Sequence, residues 1–240
     1  MELDYRLTHT APNYGIAYEE RFHKNPYRSM MWELEQEVLD GIPKEFYPSR
    51  SIRHLDFACG TGRILSHLKG QTAVSVGVDL SESMLEVARK RNSDAEIIKA
   101  DITQEDVLGD RKFNLITAFR FFPNAQEILR YEVIKKLVEH LDDDGLLVFN
   151  NHLNTSSLLV FLSRLLMKKK RHGMARDEVD TLLKSVNMFV HRKYCLGIIP
   201  STEKRLLLPR LLLAPLERLL SKVSFMSSLA TNQIFVCKRR

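Results

Sequence analysis

The segment Leu55-Asp56-Phe57-Ala58-Cys59-Gly60-Thr61-Gly62 constrains this chain more than any other. An apolar strand, Ser51 to Phe57, runs directly into three small residues, Ala58, Gly60 and Gly62, and a helix follows from Gly62 to Leu68. Small residues let the backbone turn sharply and let a ligand lie against it, and a helix start offers unpaired N–H groups to an electron-rich ligand edge. The spacing departs from the GxGxxG pattern of dinucleotide sites, because the deeper glycine position holds Leu65. A pyrophosphate wants that third glycine for close helix packing, so a nicotinamide dinucleotide fits this loop poorly.

The rest of the chain repeats the same unit. Val74–Asp79, Ala95–Lys99, Asn114–Phe119 and Leu146–Asn150 read as further strands, and Ser83–Asn92 and Ala125–Leu141 as helices, with Ser81 an N-cap and Asp142–Gly145 a turn. Alternation from about residue 50 to 150 argues for parallel βαβ units in a doubly wound α/β sheet. Upstream, Tyr14–Leu39 reads as one helical stretch stopped by Gly41-Ile42-Pro43. Downstream, Leu158–Lys170 and Asp177–Val186 read as helices and Val190–Ile199 and Asn232–Lys238 as strands, making seven in all. Between those two strands lies a leucine-rich segment, Leu206–Leu220, broken by Pro209 and Pro215. One domain is expected: a helical lid at 1–48, a cofactor-binding core at 49–153, and substrate-side helices with the last two strands at 154–240.

Acidic residues close two of the strands. Asp79 sits where a carboxylate, an acceptor-only group, can take two hydrogen bonds from a ribose; it could instead cap the helix beside Ser81. Asp101 could accept from an adenine amino group or serve as a strand-end turn residue.

Three segments, Leu55–Arg63, Gly77–Leu85 and Ala100-Asp101-Ile102, together resemble successive motifs of class I S-adenosylmethionine-dependent methyltransferases, nearest to the branch of quinone-biosynthesis and small-molecule enzymes. The likeness covers residues 50–155 well. It implies a mostly parallel seven-stranded sheet, S-adenosylmethionine as cofactor, and roles by position. Asp56 and the Ala58–Gly62 backbone, Cys59 and Gly60 included, would face the methionine part. Asp79 would hold the ribose, Leu80 and Met84 would pack on the adenine, and Asp101 and Ile102 would touch its rim. Phe119 would lie beside the methionine through its backbone. Ala58 replaces the first glycine of the pattern, a methyl that a negative φ would tolerate. In the lid, Tyr14, Tyr18, Tyr27 and Arg28 would close over the cofactor, Arg28 by pairing with the methionine carboxylate; the alternative is a surface arginine with core or surface tyrosines. Trp32 reads as core.

Ligands in such sheets bind beyond the carboxyl ends of the strands, where Phe119–Asn124 and Asn150-Asn151-His152 fall. His152 is the candidate general base, because imidazole titrates near neutral pH; a hydrogen-bonded loop histidine is the plainer alternative. Arg120 could hold an anionic substrate group or simply pair with a nearby acid, and Asn150 and Asn151 could orient a hydroxyl or sugar or cap the helix that follows. Phe121 and Phe122 read as packing.

Charge and cysteine usage bound the remaining readings. The net charge is +6, carried partly by Lys168-Lys169-Lys170-Arg171-His172 and by the tail Lys238-Arg239-Arg240, read as a solvated helix end and a frayed terminus. No aromatic–basic stripe or RNA-binding module is visible, and Phe121-Phe122-Pro123-Asn124 differs from the Asn/Asp-Pro-Pro-Tyr/Phe pattern of amino-methylating nucleic-acid enzymes. An RNA methyltransferase and a non-catalytic cofactor-binding scaffold are therefore the alternatives to methylation of a small molecule at oxygen. The leucine-rich segments read as lid helices packing on the core or, alternatively, as an entrance for a lipid-like or isoprenoid substrate or a peripheral contact with a membrane, while Asn150 and Asn151 allow a sugar-containing substrate. Cys59, Cys195 and Cys237 read as free thiols of a cytoplasmic protein, and no His/Cys spacing suggests a metal.

Overall fold

The computed structural model describes residues 4–7, 11–167, 173–203 and 206–240. Helices α1 (Tyr14–Lys24) and α2 (Pro26–Phe46) precede the first strand, β1 (Arg53–Phe57). Then come α3 (Arg63–Leu68), β2 (Val74–Asp79), α4 (Glu82–Arg91), β3 (Glu96–Lys99), β4 (Phe113–Ala118), α5 (Glu127–Glu139) and β5 (Leu141–Asn151). The last part holds α6 (Leu158–Met167), α7 (Arg176–Lys184), β6 (Met188–Leu196), α8 (Arg210–Leu220) and β7 (Asn232–Arg239).

One seven-stranded sheet runs β3-β2-β1-β4-β5-β7-β6, with only the β7 pairings antiparallel. The strand order reverses at β1, so β1 and β4 part their helices to opposite faces and open a crevice at their carboxyl ends. Both faces are covered, which is why the strands read as near-continuous apolar runs. Alternate residues serve the two sides: Leu147, Phe149 and Phe235 pack with α5 and α7, while Leu146, Val148 and Ile234 pack with α2, α3 and α8.

Several boundaries differ from the sequence reading, each for a local reason. The N-terminal stretch is two helices. Asn25 ends α1 in an extended conformation and its side chain caps α2 by accepting from the Arg28 amide, with Pro26 in the first turn. Gly41-Ile42-Pro43 does not stop α2, which continues to Phe46: Pro43 forfeits one amide near the helix end, and its carbonyl accepts from Tyr47. Pro215 likewise sits inside α8, which starts after Pro209. β5 begins at Leu141, with the expected turn absorbed as a register shift opposite Phe113–Leu115. The carboxyl tail is not frayed: Arg239 ends β7 and donates to the carbonyls of Val138 and Leu141. The basic run 168–172 lies outside the described residues. Cys59, Cys195 and Cys237 are buried and free. Among the described residues no helix is long and apolar enough to cross a membrane.

Candidate functional site

A cavity of about 350 Å³ opens where β1 and β4 diverge, within the size range of small-ligand sites. Its floor is the loop after β1. Ala58, Gly60 and Gly62 take φ of 54°, 54° and 70°, so the chain turns by left-handed steps at alternate residues. The expectation of a negative φ at Ala58 is thus wrong: its methyl stands in the left-handed region, which costs an L-residue about 1–2 kcal/mol. At Gly62 the reason for glycine is contact, since a Cβ would lie 2.3 Å from Asn92 Nδ2. Gly62 N–H donates to the Cys59 carbonyl at 2.9 Å, and Gly62 does not line the cavity. Asp79, at the end of β2, accepts from Gly60 N–H at 2.8 Å and Ser81 N–H at 2.9 Å. One carboxylate therefore ties the β1 and β2 loops together at the cavity wall, beside Leu80, Met84 and Cys59.

Two groups of opposite charge face this cavity, each with one buried atom unpaired. Asp56 is 1% exposed. Its Oδ1 accepts from Thr117 Oγ1 at 2.7 Å, and its Oδ2 has no hydrogen-bond partner. Burial pushes its pKa up to about 7, against the lowering bond from Thr117. Behind it, Thr117 Oγ1 lies 2.8 Å from His54 Nε2. With Asp56 ionised, Thr117 gives its proton to the carboxylate and takes a bond from His54, so the imidazole carries its proton on Nε2. Burial holds the His54 pKa down at about 3, which keeps the ring neutral. The cation is Arg63, at the start of α3. Its guanidinium lies 3.5 Å from the Phe22 ring centroid and donates to Tyr18 Oη at 3.1 Å, while Nη1 has no partner. Sequence reasoning missed Arg63, although it directly follows the glycine loop.

The roof comes from the N-terminal helices. Gly15 N–H donates to Ser83 Oγ at 3.0 Å, and a Cβ at Gly15 would sit 2.2 Å from the Ser83 carbonyl oxygen. That contact fits α1 closely onto α4. Glu19, buried in α1, hydrogen-bonds Thr61 and Arg91, latching the helix to the loop beneath. Tyr14 and Tyr18 line the cavity as expected. Arg28 lines it too, but Glu203 already holds both prongs of its guanidinium, at 2.8 and 3.0 Å. Tyr27 packs into the core on the α2 side of the sheet rather than over the cavity, whereas Trp32 lines the cavity as well as the core.

A short 3-10 turn, Tyr5–Leu7, closes the far end. Arg6 Nε donates to Asp101 Oδ2 at 2.8 Å, and Thr103 donates to Oδ1 through its amide and hydroxyl. The Tyr5 amide donates to Gln126 and its ring meets Phe121 edge-on. Asp101 thus lines the cavity while anchoring this strap, a role that its strand-end position does not announce. Ile102 is buried in the hydrophobic core and does not line the cavity.

Beyond β4 and β5, Phe119 and Arg120 line the cavity, and Arg120 has a φ of 62°. Asn150 Oδ1 accepts from the Arg120 amide at 2.6 Å and its Nδ2 donates to Glu35 Oε1 at 3.1 Å. Glu35, 1% exposed in α2, also accepts from Asn232 and lies 3.6 Å from Arg120 Nη2. Asn150 is therefore a brace for Arg120 and Glu35, not a substrate contact. Asn151 donates to the Met174 carbonyl and faces away from the cavity lining. His152 lines the cavity with Nδ1 unpartnered. Burial, then the charges of Arg120 and Arg28, hold its pKa down at about 3. The expectation of near-neutral titration fails, and with it much of this ring's strength as a base. Phe121 and Phe122 are packing residues in an aromatic row running through Phe149 to Phe235, although Phe121 also touches the cavity.

Residues 55–145 match a family model described as a methyltransferase domain. Among curated proteins, the chain is 33% identical over 98 residues to dTDP-3-amino-3,4,6-trideoxy-alpha-D-glucopyranose N,N-dimethyltransferase of Streptomyces venezuelae, covering 39% of this chain and 40% of that one. It is 24% identical over 135 residues to malonyl-[acyl-carrier protein] O-methyltransferase of Bacillus anthracis, covering 52% and 46%. The matched segments thus span about half the length of these relatives or less. Magnesium protoporphyrin IX methyltransferase of Synechocystis PCC 6803, solved with bound SAH, superposes with a TM-score of 0.65 over 95% of this chain and 96% of that one. At 12% identity that likeness speaks for the fold.

Proposed function

We propose that the chain, whose residues 55–145 match a methyltransferase domain, is a class I S-adenosylmethionine-dependent methyltransferase that transfers a methyl group to an oxygen of a small-molecule acceptor. The observation that carries the cofactor assignment is the pair of unpartnered buried atoms, Asp56 Oδ2 and Arg63 Nη1, on one cavity. An α-amino acid presents an ammonium and a carboxylate two bonds apart, and these two atoms complement it. Arg63 takes the role that sequence gave to Arg28, whose prongs Glu203 occupies.

Bound here, the cofactor supplies an electrophilic methyl group on a sulfonium. Asp79, held rigid by two backbone amides, accepts from the ribose hydroxyls. Leu80 and Met84 pack on the adenine, and the Phe119 backbone flanks the methionine. Tyr14, Tyr18 and the strap residue Tyr5 exclude water from above. Such positioning turns a bimolecular displacement into an effectively unimolecular one. The relatives named for an amino sugar and for a malonyl carrier support a small acceptor. The exposed leucines of α8, with Lys222 just beyond its end, support peripheral contact with a lipid surface.

Calorimetry with S-adenosylhomocysteine tests the reading. Asp79→Ala is expected to cost about 1–3 kcal/mol of binding, the usual scale for losing a charged buried acceptor. A wild-type chain that does not bind the ligand would favour a scaffold instead.

A further inference from the structure

The acceptor end of the cavity has a composition that selects for one kind of nucleophile. Arg120 is held there by three separate devices. Its backbone is left-handed, at φ 62°, and the residue lines the cavity. Its amide is fixed by Asn150 at 2.6 Å. Its guanidinium faces the Phe22 ring, 5.6 Å from the centroid, and is held by an ion pair with Glu35 Oε2 at 3.6 Å and by Tyr18. A left-handed arginine is strained, and such strain concentrates at ligand sites. Glu35 divides its carboxylate: Oε1 accepts from the amides of Asn150 and Asn232, and Oε2 faces Arg120. Beside Arg120 lies His152, its Nδ1 buried and without a partner.

At the same end neither His152 nor Glu35 is an effective base. His152, with its pKa near 3, would release a proton far more readily than it would take one. Glu35 is braced among two asparagines and an arginine. A neutral hydroxyl needs a group to accept its proton; burial raises the Tyr18 pKa but Arg120 and Arg63 bring it down overall, and its oxygen already accepts from Arg63. An acceptor that arrives already ionised avoids the need.

We propose that the acceptor is a carboxylic acid bound as its carboxylate, one oxygen held by Arg120 and by the Nδ1–H of His152, the other turned to the methyl group. Arginine suits carboxylates because its planar fork donates along both lone-pair directions. In the reaction a carboxylate oxygen bonds to the methyl carbon while the bond from that carbon to sulfur breaks. The electron pair stays on sulfur, so the sulfonium donor becomes a neutral thioether and the acid a methyl ester. No proton moves. His152 and Arg120 are on this account substrate contacts, and Asn150 and Glu35 are positioning residues.

The inference rests on the cofactor seat described above, and one experiment separates the two. Wild-type protein is saturated with S-adenosylhomocysteine and titrated by calorimetry with acetate, benzoate and hexanoate, and with the corresponding amides. At least one acid is expected to bind, with its amide at least tenfold weaker and with a shift of the His152 imidazole nitrogen resonances. Arg120→Gln is expected to weaken the acid at least tenfold while the S-adenosylhomocysteine affinity stays within threefold. Because that change strands Glu35, the paired variant Glu35→Gln/Arg120→Gln repeats the measurement with the buried charges removed together. Loaded protein that ignores all three acids overturns the proposal, as does equal binding of acid and amide or an unchanged affinity in both variants. Wild-type protein that fails to take S-adenosylhomocysteine overturns the cofactor seat, and this inference with it.

Discussion

Single residues carry most of what distinguishes this site. Ala58 sits at φ 54° in the turn after β1, on the floor of the cavity. Glycine pays no side-chain penalty there but loses more chain entropy on folding. Ala58→Gly should therefore raise stability by a net of about 0.5–1 kcal/mol, read as a higher urea midpoint at unchanged slope. Asp56 makes a prediction in pH. Its folded pKa is raised from the usual 3.8 to about 7, so the folded chain holds this proton more tightly than the unfolded one. The associated stability is complete below pH 4 and is lost as pH rises to about 7. Ammonium binding has the opposite preference, since only the ionised carboxylate pairs with it. S-adenosylhomocysteine affinity should rise by up to tenfold per unit from pH 5.5 to 7 and then level off. Asp56→Asn should bind weakly with that dependence gone; an unchanged pH profile in the variant would assign the effect elsewhere. Asp56, Asp79, Gly60 and Arg120 were legible from sequence because strand ends and glycine turns have local signatures. Arg63, Glu19, Glu35 and Arg6 were not, because their importance comes from hydrogen-bond partners 42 to 197 residues away in the chain.

At the scale of elements, the sheet and its order follow from alternating apolar segments, and the helix ends follow from caps such as Ser81. The errors gathered at prolines. Asn25-Pro26 is a stop-and-restart signal that the apolar pattern across it hid, while Pro43 and Pro215 are tolerated near helix ends or within a packed helix. The lid helix α1 docks through one glycine and one buried carboxylate. Gly15→Ala should force α1 away from Ser83, weakening S-adenosylhomocysteine at least tenfold while thermal unfolding of the sheet moves little. Hydrogen exchange checks the claim: amides of α1 should lose protection and those of β1 and β4 should keep theirs. A uniform loss of protection would mean that α1 is part of the cooperative core.

For the whole molecule, the surface left outside both cores is informative. Leu211 is 88% exposed and Leu219 63%, on the face of α8 opposite buried Leu213, Ala214 and Glu217. Phe225 nearby is 70% exposed. Protein mixed with vesicles containing phosphatidylglycerol should sediment with them at low salt, and Leu211→Glu/Leu219→Glu should return it to the supernatant. Wild-type protein that stays in the supernatant would make these side chains ordinary surface. Fold class was readable at this scale because seven strands with helices between them admit few arrangements. The enclosure of the cavity was not, since the strap at residues 5–7 and Glu203 close it from opposite ends of the sequence.

The place of β7 in the sheet has a consequence for how the protein is made. It lies between β5 and β6 and is the last strand in the chain. A ribosome holding residues 232–239 in its exit tunnel has already released β5 and β6, each with a row of unmet backbone groups. Neither can pair with the other without displacing the strand still to come. The nascent chain must therefore wait with two open edges, the state most prone to recruit foreign strands. Newly synthesised copies stalled short of residue 232 are the ones that holdase chaperones should find.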